Sequence, residues 1–254
     1  MIKQAVILAG GFGTRISEES DNIPKPMVII GKDPIIVHIM RIYAKFGVKD
    51  FIILAGYKAE YIKNYFLNFH ALSADLDISL STGEVTYMKE LGLDWRIRIV
   101  DTGLNTMTGG RIKQVRDILD QEFFLTYGDG VADVDLKELY KQHANSNALV
   151  TLTRVISPER FGILDLKENK VVSFKEKPND NGRWINAGFF VVKKDAINYI
   201  ADNQTNWEQE PLRKIASNGQ LNSYRHEGFW QAMDTLRDKR YLDTLLKTGD
   251  APWI

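Results

Sequence analysis

Apolar and polar positions alternate along this chain in two distinct rhythms. Ala5-Val6-Ile7-Leu8-Ala9, Phe51-Ile52-Ile53-Leu54-Ala55 and Phe123-Phe124-Leu125-Thr126-Tyr127 are unbroken apolar runs of strand length, each stopped by glycine. Continuous runs of this kind read as strands buried on both faces, the usual state in a parallel sheet. Between them lie segments with helical spacing: Ile35 to Phe46, introduced by Pro34 and followed by Gly47, and a stretch through Tyr61, Ile62, Tyr65 and Phe66. Strand, glycine turn and helix recur in that order, which predicts a doubly wound, mostly parallel, Rossmann-like α/β sheet. Met27 to Ile30 reads as a short strand, and His38 as a core histidine satisfied by a neighbour.

Further along, Trp95 to Val100 alternates as a strand, and Val115, Ile118 and Leu119 continue a helix introduced by Gly109-Gly110. Asp133 and Asp135 stand where a helix through Leu136 and Leu139 would begin. Ala148 to Val155 and Ile185 to Val192 read as strands, and the segments 160–166 and 170–174 as a β-hairpin laid over the sheet. A helix follows Trp207, then a strand at 221–224. The closing helix from Leu236 to Leu246 carries alternating charge and is expected outside the core. Residues 71–93 break the rhythm and are expected to leave the core, as an oligomerisation element.

With 254 residues and 44% hydrophobic content, the chain can bury a substantial core within one domain spanning 1–254. Lys plus Arg and Asp plus Glu both number 33, so the basic excess of a nucleic-acid or membrane-surface partner is absent. There is no Cys, hence neither a disulfide framework nor a thiolate nucleophile. No apolar run has signal-peptide or membrane-spanning form, and a cytoplasmic location is expected.

The chemistry gathers around the strand ends. After Leu8 and Ala9, the loop Gly10-Gly11-Phe12-Gly13-Thr14-Arg15 offers backbone N–H groups unobstructed by Cβ, with a hydroxyl and a guanidinium beside them. Lys25, in Pro24-Lys25-Pro26, adds a point charge from just downstream. Such a set suits a polyphosphate. It is not a P-loop, because Gly-Thr-Arg stands where Gly-Lys-Ser/Thr is needed, and the dinucleotide fingerprint loses its third glycine to Ile16. Asp129, between Gly128 and Gly130 at the end of an apolar strand, points where open α/β sheets bind ligands and could hold Mg²⁺ against phosphate oxygens. Thr106-Met107-Thr108-Gly109-Gly110-Arg111 reads as a second glycine-rich helix entrance with backbone donors and Arg111 at hand.

Gly-Gly-x-Gly-Thr-Arg followed by Pro-Lys-Pro resembles the signature of the sugar-1-phosphate nucleotidyltransferases. Phe-Leu-Thr-Tyr-Gly-Asp-Gly-Val-Ala-Asp, Trp-Glu-Gln-Glu-Pro-Leu and Gln-Ala-Met-Asp-Thr-Leu-Arg-Asp-Lys resemble most closely the branch that uses CTP and glucose 1-phosphate. Many relatives of the uridylyl and thymidylyl branches carry Gly-Asp-Asn where this chain has Gly128-Asp129-Gly130.

The resemblance implies that residues 1–145 mainly bind nucleotide and 146–235 mainly the sugar phosphate. It implies nucleotide contacts from Leu8, Ala9, Gly10, Gly11, Phe12, Gly13, Thr14, Arg15, Lys25, Thr106, Gly110, Arg111 and Gly128, with Arg15 and Lys25 acting in catalysis. Glu176, Lys177, Asn186 and Gly188 would take the sugar phosphate, and Asp129 with Asp234 would hold Mg²⁺. A homo-oligomer, trimer or hexamer, is the family's habit. Two other readings are a uridylyl- or thymidylyltransferase and a non-catalytic sugar-nucleotide sensor.

Overall fold

The computed structural model describes residues 2–13, 23–88, 92–156, 163–167, 170–175 and 184–254. The strands are β1 (Gln4–Ala9), β2 (Ile29–Ile30), β3 (Asp33–Pro34), β4 (Asp50–Ala55), β5 (Leu76–Ile78), β6 (Val85–Tyr87), β7 (Arg96–Asp101) and β8 (Glu122–Tyr127). Beyond them come β9 (Gly130–Ala132), β10 (Val150–Ile156), β11 (Ile163–Lys167), β12 (Lys170–Lys175), β13 (Trp184–Lys193), β14 (Leu221–Arg225) and β15 (Trp230–Ala232). The helices are α1 (Ile35–Ala44), α2 (Ala59–Leu67), α3 (Phe69–Ser73), α4 (Thr108–Gln114), α5 (Leu136–Ala144), α6 (Glu210–Ser217) and α7 (Leu236–Thr248).

Seven strands form the central sheet in the order β14-β10-β13-β8-β1-β4-β7. All neighbours are parallel except at β13, which runs antiparallel to both β8 and β10. The expected mostly parallel α/β sheet is thus observed. Its apolar strands have no polar face because both faces are covered: Ala5, Ile7 and Ala9 join one core cluster, while Val6 and Leu8 join the other. Phe51, Ile53 and Ala55 divide from Ile52 and Leu54 in the same way.

Several local expectations meet their physical cause. Asp135 caps α5, accepting from the N–H groups of Lys137 and Glu138. His38 is buried, with Nε2 bonded to the Ile30 carbonyl at 2.9 Å. β11 and β12 pair with each other as the expected hairpin. Three expectations are corrected. Residues 25–27 form a 3-10 turn with Pro24 before it and Pro26 at its centre, leaving only Ile29–Ile30 as strand. The helix after Met107 stops at Gln114, and Arg116–Ile118 is a separate 3-10 turn. Helix α7 is not wholly outside the core: its charged residues alternate around Leu242, which is fully buried, and Leu246 packs over Gly31.

Residues 71–88 do leave the sheet. β5 and β6 pair only with each other, and every residue in both is exposed, as is Leu80 at the tip.

His143 on α5 gives the fold a pH dependence. Its ring is fully buried, with Nδ1 and Thr151 Oγ1 sharing a 2.8 Å hydrogen bond and Nε2 3.9 Å from a Glu122 carboxylate oxygen. Burial pushes its pKa down to about 4, against the opposing pull of Glu122. An unfolded histidine titrates near 6.5, so this group's stabilisation is complete above that pH and is lost as the pH falls toward 4. The expected cost is up to about 2 kcal/mol at pH 5. Urea unfolding at pH 7 and pH 5 checks this, and His143→Gln is expected to flatten the difference.

Candidate active site

The carboxyl ends of β1, β4, β7 and β8 meet at one rim of the sheet. Gly128 lies so close to β1 that a Cβ there would stand 3.0 Å from Pro26 and 3.1 Å from the Leu8 carbonyl, and its N–H donates to that carbonyl at 2.9 Å. A cavity of about 550 Å³ opens above this contact. Leu8, Ala9, Gly10, Gly11, Phe12, Gly13, Lys25, Thr106, Arg111, Gly128, Asp129 and Asp234 all line it. Thr14, Arg15, Glu176 and Lys177 lie outside the described residues.

Lys25 is the electrostatic centre. The prolines at 24 and 26 and the 3-10 turn carry its side chain inward, where Nζ meets Asp129 Oδ2 at 2.6 Å and Asp234 Oδ1 at 2.8 Å. Burial disfavours the ammonium, but the two carboxylates outweigh it and hold the Lys25 pKa above its usual value.

The carboxylates are 105 residues apart, and a short ladder brings them together: β9 pairs antiparallel with β15, Gly130 opposite Ala232, and Met233 N–H donates to the Asp129 carbonyl at 2.8 Å. An Asp before a helix is commonly its N-cap. Here Thr235 takes that place, in a capping box with Asp238, and Asp234 reaches the lysine instead.

A second, smaller cavity of about 220 Å³ shares Tyr127, Asp129 and Asp234 with the first and adds Asn186 and Gly188. Gly188 has φ +84°, and a Cβ there would come within 2.4 Å of the Tyr127 ring. Only glycine satisfies both the backbone and the packing. Its N–H donates to Asn186 Oδ1 at 2.9 Å, tying the irregularity inside β13 where the register with β10 shifts.

Two sequence expectations change meaning. Gly110 does not line the cavity. Gly109 and Gly110 lie inside α4, and a Cβ on either would strike the backbone of Thr205 or Asn203 at 2.6 and 2.5 Å. These glycines permit close packing of α4 on the 203–207 loop. Arg111 does reach the cavity, yet its guanidinium donates to the carbonyls of Gly10, Ala55, Gly103 and Leu104 and to Thr102 Oγ1. It fastens the loops after β1, β4 and β7 to one another, and burial lowers its pKa against the pull of Asp101.

Sequence reasoning missed Tyr127 and Glu208. The Tyr127 hydroxyl donates to Glu208 Oε1 at 2.7 Å and Thr108 Oγ1 donates to Glu208 Oε2 at 2.7 Å. Nothing in the spacing of Trp207-Glu208 pairs it with a tyrosine 81 residues earlier.

A family profile described as Nucleotidyl transferase matches residues 4–236. The chain belongs to the nucleotidyl transferase family. Among curated relatives of this nucleotidyl transferase, the "Glucose-1-phosphate cytidylyltransferase" of Salmonella typhimurium is 47% identical over 252 residues, covering 98% of each chain. A "Probable glucose-1-phosphate cytidylyltransferase" of Bacillus subtilis is 41% identical with the same coverage. Among solved structures, HddC from Yersinia pseudotuberculosis superposes with a TM-score of 0.72 at 23% identity, over 96% of this chain and 100% of that one, which shows a common fold. No helix among the described residues is long and apolar enough to cross a membrane.

Proposed function

We propose that this nucleotidyl transferase makes CDP-glucose and pyrophosphate from CTP and glucose 1-phosphate. The observation that carries the reading is the border between the cavities: Asp129 and Asp234 line both, so one charge cluster faces two ligands at once. The 47% identity to a glucose-1-phosphate cytidylyltransferase supports the choice of base and sugar.

A phosphate oxygen of the sugar phosphate attacks the α-phosphorus of CTP. The bond from that phosphorus to the bridging oxygen breaks, and pyrophosphate leaves in line with the electron pair. Two polyanions repel on approach, so the protein's task is to hold them and offset the charge. Glycine N–H groups at 10–13, with Thr14 and Arg15, would take the outer phosphates, and Lys25 the α-phosphoryl oxygens. Asn186 and Gly188, with Glu176 and Lys177, would seat the sugar phosphate.

The residues present fit a divalent ion. Two carboxylate oxygens converge on one cation, the Lys25 ammonium, at 2.6 and 2.8 Å. Mg²⁺ is commonly bound by one or two carboxylates with the remaining places taken by phosphate oxygens and water. Asp129 and Asp234 would hold Mg²⁺, which when bound neutralises phosphate charge. The division into a nucleotide part at 1–145 and a sugar-phosphate part at 146–235, a cytoplasmic location and a homo-oligomer, trimer or hexamer, belong to the same proposal.

Pyrophosphate release from a panel of four nucleoside triphosphates against several hexose 1-phosphates tests it. Turnover is expected to be at least tenfold higher with CTP and glucose 1-phosphate than with any other pair, and to disappear with EDTA. Preference for UTP or TTP would move the assignment to another branch of the family. Absence of release with every pair, with binding retained, would favour a sugar-nucleotide sensor.

A further inference from the structure

We propose that Glu208 is a positioning residue for the transfer, setting the wall between the two cavities through Tyr127. The inference rests on the reading of the cavities as nucleotide and sugar-phosphate sites. Glu208 lines neither cavity, yet each of its carboxylate oxygens holds a hydroxyl that does. Thr108 belongs to the larger cavity and Tyr127 to both.

The donors and acceptors leave little freedom. Thr108 Oγ1 accepts from the Trp207 N–H at 2.9 Å, which commits its own proton to Glu208. Trp207 is fully buried, so the backbone next to Glu208 is anchored although the carboxylate itself is exposed. On the other side, the Tyr127 ring lies against Gly188, and Asn186 Nδ2 stands 3.4 Å from the Tyr127 hydroxyl. A rotated Tyr127 would intrude on the irregular stretch of β13, Asn186 to Gly188, that lines the smaller cavity. One exposed carboxylate thereby fixes the spacing of two ligands across a single ring. An exposed pair of hydrogen bonds contributes little to stability, whereas a small displacement of reacting groups is costly in rate.

A double-mutant cycle with separate kinetics for each substrate tests the proposal. Glu208→Ala is expected to raise KM for glucose 1-phosphate at least fivefold and to lower kcat about tenfold, with KM for CTP within about twofold of the wild type. Tyr127→Phe removes the Tyr127–Glu208 bond, which Glu208→Ala removes together with the Thr108 bond, and is expected to show most of the same loss. The double variant is then no worse than Glu208→Ala alone, because the shared bond is lost only once. Glu208→Gln keeps an acceptor for Tyr127 and is expected to recover most of the loss. Multiplying effects in the double variant, or equal rises in both KM values with a fall in melting temperature, would overturn the proposal. Wild-type pyrophosphate release judges the proposed function separately. Should the wild type release none, the same cycle read by calorimetric binding of glucose 1-phosphate decides the role of Glu208, and unchanged affinity in Glu208→Ala would reject it.

Discussion

Lys25→Ala is expected to lower turnover by at least about a hundredfold while the sheet stays intact, the loss that follows from removing one fixed donor at a charged transition state. The turn that carries Lys25 is made by backbone, with Met27 N–H donating to the Pro24 carbonyl at 2.8 Å and Val28 N–H to the Lys25 carbonyl at 3.1 Å, so its path survives the truncation. What disappears is the ammonium between Asp129 and Asp234. Two carboxylates are then left facing each other, and Mg²⁺ is expected to raise the melting temperature of the variant more than that of the wild type. Steady-state pyrophosphate release at saturating substrates, with circular dichroism as the fold control, measures the effect. Near-normal turnover would remove Lys25 from the mechanism.

The second large effect is expected at Arg111. Arg111→Met keeps most of the volume but withdraws the donors that cross-link Gly10, Ala55, Gly103 and Thr102, so that each loop keeps its own backbone bonds but loses its tie to the others. A loss of about 3 kcal/mol in stability is expected, together with weakened nucleotide binding as the three loops separate. Arg111→Lys should not restore it, because a single ammonium cannot reach carbonyls spread around a planar fork. The surroundings are built to this side chain: a Cβ on Gly10 or on Gly56 would lie 2.3 Å from its guanidinium. Chemical denaturation of both variants, with nucleotide titration, separates the structural loss from any direct contact with ligand.

Much of this was written locally in the chain. The strands β1, β4 and β8 are legible because both faces are buried, so no alternation interrupts them. Asp135 as a helix cap and Asp129 at a strand end follow from near neighbours in sequence. Gly109 and Gly110 misled because glycine serves two ends, exposure of backbone donors and close approach of chains, and only the position of the 203–207 loop decides between them. Arg111 was legible in part: it does line the cavity, where a guanidinium beside glycines suits an anion, but the carbonyls it also holds come from segments 56 and 101 residues away. Glu208 and Tyr127 each stand in a motif that resembles the family, but nothing in either motif pairs them, since the two residues are 81 positions apart and meet only in the folded chain. Helix α7 looked solvent-borne because its charges hide a narrow apolar edge centred on Leu242.

The three-pair ladder of β9 with β15 stands apart from the seven-stranded sheet and is the bridge on which Asp129 and Asp234 depend. All three residues of β9 are buried, and Val131 and Ala132 belong to the main core cluster, so the ladder opens no more cheaply than the core beneath it, whereas the exposed β5 and β6 pair opens first. The meeting of the two aspartates is thereby tied to the integrity of the core, and on heating catalysis and fold are expected to vanish together.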